Sequence, residues 1–575
     1  MNKTGQSPAE LLKRGKPLTL AQVADGAEGL MLADLARAVA ACKGAPPISL
    51  AVACRDGQRM GALSRALAFF GPDIQVMEFP AWDCLPYDRV SPNAAVVAQR
   101  MTVLSRLTRV KGRDKPSVLL TTVNGALQRV PTRAFVPTHA LSVAPGNVIG
   151  MQGVIDWLEL NGFVRASTVR EPGDYAVRGG ILDLYPPGMD MPVRLDFFGD
   201  AIETIRAFDA ETQRSAEQLR GLDLVPVAEF QLVTETIRRF RTGYVAQFGA
   251  AGPDDQLYES VSEGRRYPGM EHWLPLFHDR LETIFDYLPG TALALEHLAE
   301  DAAHERFAQI TDYYDARRDA LKEGAAPIYK PLPPDRLYLG ESEWKERLEA
   351  SALARLTPFA VPHAGAVDIG ARTGRNFAAE RAEPGANVFE AVGAHVLALQ
   401  ATGKRVAVAL WSDGARDRMS HVLADHKLHN LTSVGSWPQA LTLPKSTVAL
   451  AVLGIESGFE TEGAAILASR TYWAIGWFAH AARLAGRRIS LPRRPVSRPA
   501  IWSCTSITAS DASRGCSRSR PRERRTIAWT FTTPRAPSFI CLSKTSICCR
   551  DTARRKRRSI STGWAGAIGR PAKRA

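Results

Sequence analysis

The sequence predicts an α/β protein of more than one domain, with a smaller β-rich insert and a disordered tail. Three observations carry this prediction. Short apolar runs alternate with helical stretches over residues 18–145, strands broken by Gly and Pro replace that pattern over 147–222, and the composition changes abruptly after residue 468. At 575 residues the chain is too long for one ordinary core. Its 45% hydrophobic and 23% charged content is that of a globular protein, and it has no run of about 20 apolar residues. The start, MNKTGQSPAELLKRG, carries no apolar export signal, so a cytoplasmic location is expected.

Taken in order, residues 1–17 form a polar extension. Residues 18–146 read as the first part of a parallel α/β layer, because PISLAVAC (47–54), DIQVMEF (73–79) and SVLLTTV (117–123) are separated by segments such as RMGALSRALAFFG. Residues 147–222 form the insert, in which GDYAVRGGILDLYPP and PVRLDFFGDAIETIRAFD have the form of hairpins. Helical periodicity returns over 223–345 and completes the first module. Residues 346–384, rich in Pro, Gly and Ala, read as a linker. A small α/β domain follows over 385–468, where KRVAVALWS and STVALAVLG flank the helix GARDRMSHVLADH. Residues 469–575 are the tail.

The formal net charge of +14 suggests nucleic acid until it is located along the chain. The tail holds 24 Lys and Arg against 3 Asp and Glu, leaving 49 basic and 56 acidic residues in 1–468, so the body is at −7 and the tail at +21. Cysteine divides the same way, with Cys42, Cys54 and Cys84 in the body and five in the tail, which suits a reduced compartment without a disulfide framework. The pair Glu271-His272 has no HExxH partner, so no metal site is expected there, and no Ser/His/Asp set emerges from spacing.

Three segments carry a family resemblance. FPAWDCLPYDRVSPNAAVVAQRMTVLSRL (79–107), GDYAVRGGILDLYPP with RLDFFGDAIETIRAFDAETQRS (173–215), and RRYPGMEHWLPLFHDRLETIFDYLPG (265–290) resemble the N-terminal portion of the bacterial transcription-repair coupling factors, the Mfd family. The second segment is shared with the excinuclease component UvrB, whereas the third is specific to coupling factors. The resemblance, over residues 18–468, implies a UvrB-like module: a degenerate helicase-type α/β domain interrupted by the β-rich insert. It also implies that the insert docks UvrA, another component of the excinuclease. Alternation along PVRLDFFG places Arg194, Asp196 and Phe198 on one face, a mix suited to binding, and Arg165 and Arg178 match basic positions used in that contact.

The family uses ATP and magnesium in a DNA-translocase motor that releases stalled RNA polymerase. No GxxxxGK[ST] string occurs in 1–575. Where the first domain would carry one it reads VADGAEGLMLADLARA, keeping Gly26 and Gly29 but placing Leu30 and Met31 where Lys and Ser/Thr would stand. The resemblance therefore implies an inactive nucleotide site, no cofactor for this chain, and no enzymatic activity as given. The motor and the RNA-polymerase-binding domain are expected to be missing. A family domain that masks the insert is likewise expected to be missing, so binding to UvrA would be constitutive and contact with damaged DNA would come through the repair complex.

The tail has three readings: a nucleic-acid-binding basic segment, which would make the chain a nucleic-acid-binding protein, a solvated linker, or a frameshifted read. Back-translating Ala500 to Cys516 from the third base of the Ala500 codon, with synonymous choices only, permits DLVVHVDHGIGRFEGL, which resembles the opening of the family's polymerase-binding domain. In the same frame, Pro537 to Thr552 permits KLYLPVENIDLLSRY and Ser469 to Arg483 permits EQDILGDRLVRPRRK. Loss of one base near the Ala468 codon is the expectation, and the tail's charge follows from GC-rich codons read out of frame.

Overall fold

A computed structural model of the chain describes residues 8–110, 115–324, 328–362, 365–426 and 428–469. The expectations for the tail, its frameshift and basic charge included, lie outside the described residues. Among the described residues no helix is long and apolar enough to cross a membrane.

The first body is built on a seven-stranded sheet whose order is Ala366–Asp368, Leu18–Ala21, Leu353–Leu356, Ala292–Leu295, Leu50–Cys54, Ser117–Thr122 and Gln75–Phe79, with every pairing parallel. Parallel strands are buried on both faces, which is why LAVAC is apolar throughout and SVLLTT is buried along its whole length. Leu50, Val52 and Cys54 pack toward the helices Glu28–Ala41 and Gly57–Phe70. Ala51 and Ala53 face the layer that holds the helix Ala94–Arg109, Val123–Leu127 and Trp344. Asp56 and Asn93 cap two of these helices, accepting from the backbone N–H of Arg59 and Ala95 at 2.8 Å.

The insert opens and closes on a two-stranded ribbon, Leu141–Val143 against Leu222–Leu224, so it begins six residues before the expected position 147. Inside it lies a six-stranded sheet in the order Ser215–Gln218, Ala201–Phe208, Val193–Phe198, Ile181–Leu184, Asp174–Arg178 and Val164–Arg165. Its pairings are antiparallel except the last, which is parallel. The return segment carries the helices Thr234–Phe248 and Ala299–Lys322 and an aromatic core containing Trp82, Tyr87, Phe240, Tyr244, Trp273 and Phe277.

A second sheet runs Arg372–Thr373, Phe459–Glu460, Ala464–Ala468, Arg405–Leu410, Val448–Val452 and Leu431–Val434, with its last four strands parallel. The helices Val388–Ala401 and Asp413–Asp425 cover one face. The other face, through Ala407, Ala409, Ala449, Ala451 and Ile466, shares a core with Met31, Phe70 and their neighbours in the first body.

The expected linker at 346–384 is corrected here. Its residues supply two strands of the first sheet, Leu353–Leu356 and Ala366–Asp368, and one edge strand of the second, Arg372–Thr373. The small domain consequently starts before residue 385. Strands of two to four residues are too short to show a period, and Pro and Gly between them imitate a linker.

Candidate docking site

Two tight turns shape the outer face of the insert. Gly179 and Gly199 take left-handed φ values of +61° and +60°, as two-residue hairpin loops require. Alternation then sends Tyr175, Leu182, Leu184, Val193, Leu195, Ile202 and Ile205 into the insert's core. Arg194, Asp196 and Phe198 point the other way, as does Arg178. Phe198, at the hairpin end, is 81% exposed and is the large apolar group this face offers.

The two charges between them are already engaged. Arg194 stands opposite Asp183 and grips it with two bonds, Nε to Oδ1 at 2.7 Å and Nη2 to Oδ2 at 2.9 Å, while its guanidinium lies 4.9 Å from the Phe208 ring centroid. Asp196 accepts from the Thr204 hydroxyl at 2.6 Å and from Arg206. Burial opposes the charge of Asp196, but these bonds prevail and hold its carboxyl below the ordinary value. Arg194 and Asp196 therefore brace the face, each already holding a partner within the sheet. Arg178 is exposed and donates to the Ser167 carbonyl at 3.1 Å. Arg165 does not join this face. Its parallel register with the buried Tyr175 sets it on the opposite side of the sheet, at the edge strand.

Arg206 went unnoticed in the sequence. It lies across from Arg194 and binds Asp196, but a register shift between Ile202 and Thr204 breaks the alternation that would have placed it.

The second expected site lies where the strand Leu18–Ala21 leads into the helix Glu28–Ala41. Met31 is buried in the core and Leu30 half-buried, so neither can act as a phosphate-binding Lys or a magnesium-binding hydroxyl. Gly26 has φ +92°, and a Cβ there would sit 2.5 Å from the Ser457 carbonyl. A Cβ on Gly29 would sit 2.6 Å from that of Ala66. Both glycines are thus needed for close packing.

The helix N-terminus, which would hold a phosphate, is filled by the chain's own charges. Arg59 contacts Glu28 at 2.6 and 2.7 Å, Glu296 at 2.5 Å and Asp25 at 3.1 Å. Burial pushes the Glu28 carboxyl up to about 7 against the pull of Arg59. A cleft of about 400 Å³ opens beside this cluster. Arg59 is taken up by these carboxylates, and among the described residues no Lys, Ser or Thr lines the cleft to hold a terminal phosphate or magnesium, so these residues do not fit ATP.

A buried joint ties the insert's return to the first body. Arg100 donates from Nε to Glu229 at 2.6 Å and from Nη1 to the Pro80 carbonyl at 2.9 Å, over the Phe79 ring at 4.5 Å. Arg100 is fully buried and Glu229 nearly so. The imidazole of His272 lies edge-on to Trp82 and 4.0 Å from the Cys84 sulfur, and burial pulls it down to about 4. Among the described residues no group of three His, Cys, Asp or Glu is placed to hold a metal ion.

The inserted mixed sheet, with its one braced and partly exposed face, lies within residues 141–230, which match the UvrB interaction domain. Over about half its length the chain is similar to transcription-repair-coupling factors. It is 32% identical to that of Haemophilus influenzae over 289 residues, 50% of this chain and 24% of that protein. It is 32% identical to that of Escherichia coli K12 over 272 residues, 47% and 23%, and 35% identical to that of Myxococcus xanthus over 354 residues, 59% and 28%. The chain thus spans about a quarter of the length of these relatives. The matched half of the chain is thus similar to the transcription-repair-coupling factors.

Proposed function

We propose that this chain serves transcription-coupled excision repair by recruiting UvrA, which docks on the outer face of the insert. The observation that carries this reading is the coincidence of the UvrB interaction domain match, 141–230, with the sheet that exposes Phe198 and Arg178. An exposed aromatic ring beside arginines is the usual make-up of a binding hot spot. The braced pairs Arg194–Asp183 and Arg206–Asp196 hold the sheet rigid beneath it, so little order has to be imposed on contact. Arg165, on the sheet edge, contributes where the partner wraps round that edge.

The described domains do this without consuming ATP. Leu30 and Met31 in the helix and Arg59 among its carboxylates support that part of the reading. Damaged DNA is reached through the repair complex, and engagement of RNA polymerase is work for the coupling factors as whole proteins.

Binding of the full chain to purified UvrA, followed by biolayer interferometry, tests the proposal. Alanine at Arg165, Arg178 and Phe198 together is expected to weaken binding about tenfold or more, an effect on the order of 1.4 kcal/mol. Undiminished binding by that variant, or no binding by the parent chain, would overturn it.

A further inference from the structure

A cleft of about 540 Å³ lies between the base of the insert and the first body. Its walls include Trp82, Val90, Val164 and Phe230, and two of these are unusually open for apolar groups, Val90 at 60% and Val164 at 56% exposure. Arg266 stands in the cleft with its guanidinium 5.7 Å from the Phe230 ring centroid. Protein surrounds it closely enough that desolvation lowers its pKa, although the cleft mouth leaves it open to water. No carboxylate among the described residues lies within ion-pair distance of it. Glu271, in the same cleft, accepts from the Ser91 hydroxyl at 2.6 Å and attracts Arg266 only from beyond ion-pair distance, and Glu229 behind it is held by Arg100.

The cleft also borders a free sheet edge. Val164–Arg165 is the last strand of the insert sheet. The N–H groups of Val164 and Ala166 point into the sheet, to Gly173 and Tyr175, so the N–H and C=O of Arg165 point out. An extended chain can add to such an edge by backbone hydrogen bonds and place alternate side chains in the adjoining pocket.

We propose that this cleft docks an extended peptide segment of a partner protein, with a large apolar side chain seated between Val90 and Val164 and a neighbouring Asp or Glu on Arg266. A cation without a carboxylate partner among the described residues, backed by an aromatic ring in a largely apolar cavity of peptide-sized volume, selects that chemistry over a purely apolar one. The proposal shares the Val164–Arg165 edge with the UvrA reading but uses neither Arg178 nor Phe198, so Arg178→Glu separates the two.

A random peptide library displayed on phage and selected on the full chain tests it. Selection is expected to enrich sequences pairing an aromatic or aliphatic residue with an acidic neighbour. Their fluorescein-labelled synthetic copies should bind at one site, with Kd raised at least tenfold by Arg266→Glu and by Val90→Asp and unchanged by Arg178→Glu. Val90 is exposed enough for its variant to fold, and matching circular dichroism spectra confirm this for both. The proposal is overturned by failure to enrich such peptides, or by peptides whose affinity is indifferent to both cleft variants. It is equally overturned if those variants instead abolish binding of a single-stranded oligonucleotide or self-association of the chain, which would assign the cleft to nucleic acid or to a second copy.

Discussion

Three buried titratable groups set opposing dependences of stability on pH. Glu28 has a folded value near 7 against an ordinary 4.5, so it favours the fold when protonated. Its contribution is present below about pH 4.5 and is lost as pH rises to about 7. His272 and His278 are each pulled by burial from 6.5 to about 4, so each favours the fold when neutral. Their contributions are present above about pH 6.5 and are lost as pH falls toward 4. Each group is worth on the order of 3 kcal/mol across its window. Between about pH 4.5 and 6.5 the two histidines oppose Glu28 and the likewise raised carboxyl of Glu271, and mild acid is expected to destabilise the chain. Urea midpoints at pH 7 and pH 5 should show this as a lower midpoint at pH 5. His272→Gln with His278→Gln should remove most of the difference, and Glu28→Gln should enlarge it. A parent chain more resistant to urea at pH 5 would contradict the assignment.

At the scale of elements, Gly26 and Gly29 have a packing role. Gly29 lets the helix Glu28–Ala41 approach Gly57–Phe70 so closely that a methyl group would meet the Ala66 Cβ at 2.6 Å and the Phe70 ring at 3.2 Å. Gly29→Ala is expected to cost about 1–3 kcal/mol through overpacking. Gly57→Ala, with nothing within 4 Å of the new methyl, should be neutral or slightly stabilising. Urea denaturation of the two variants decides it, and equal stabilities would remove the packing explanation. The glycine spacing was legible in the sequence, but its purpose was not, since Ala66 lies 37 positions away. The same limit explains which strands were foreseen. LAVAC and SVLLTT are long apolar runs and show themselves, whereas ALAL at Ala292–Leu295 and LARL at Leu353–Leu356 are four-residue segments beside helical stretches. On the insert, alternation alone placed Arg194, Asp196 and Phe198 on one face. Cross-strand register, which no local pattern encodes, decided that Asp183 and Arg206 would occupy the two charges and that Arg165 would fall on the other side.

For the molecule as a whole, the first and second sheets share one hydrophobic cluster, with a connection of three residues, Ile369–Ala371, between the strands Ala366–Asp368 and Arg372–Thr373. Trp437, from the second body, is 6% exposed and meets Phe70 of the first with ring centroids 5.9 Å apart. Phe70 in turn lies 6.2 Å from Phe459. Burial of this size on both sides of a joint makes separate unfolding expensive, because opening it would expose two aromatic rings and the small-residue face of the second sheet to water. The two bodies are therefore expected to unfold together. Trp437→Ala should cost about 3–5 kcal/mol and lower the stability of both. Hydrogen exchange in increasing urea, read by mass spectrometry on peptides covering Leu50–Cys54 and Val448–Val452, checks this. Protection in both strands should be lost at one urea concentration, and both should shift equally in the variant. If the variant loosens Val448–Val452 and leaves Leu50–Cys54 where it was, the bodies are independent and the second sheet does not buttress the first.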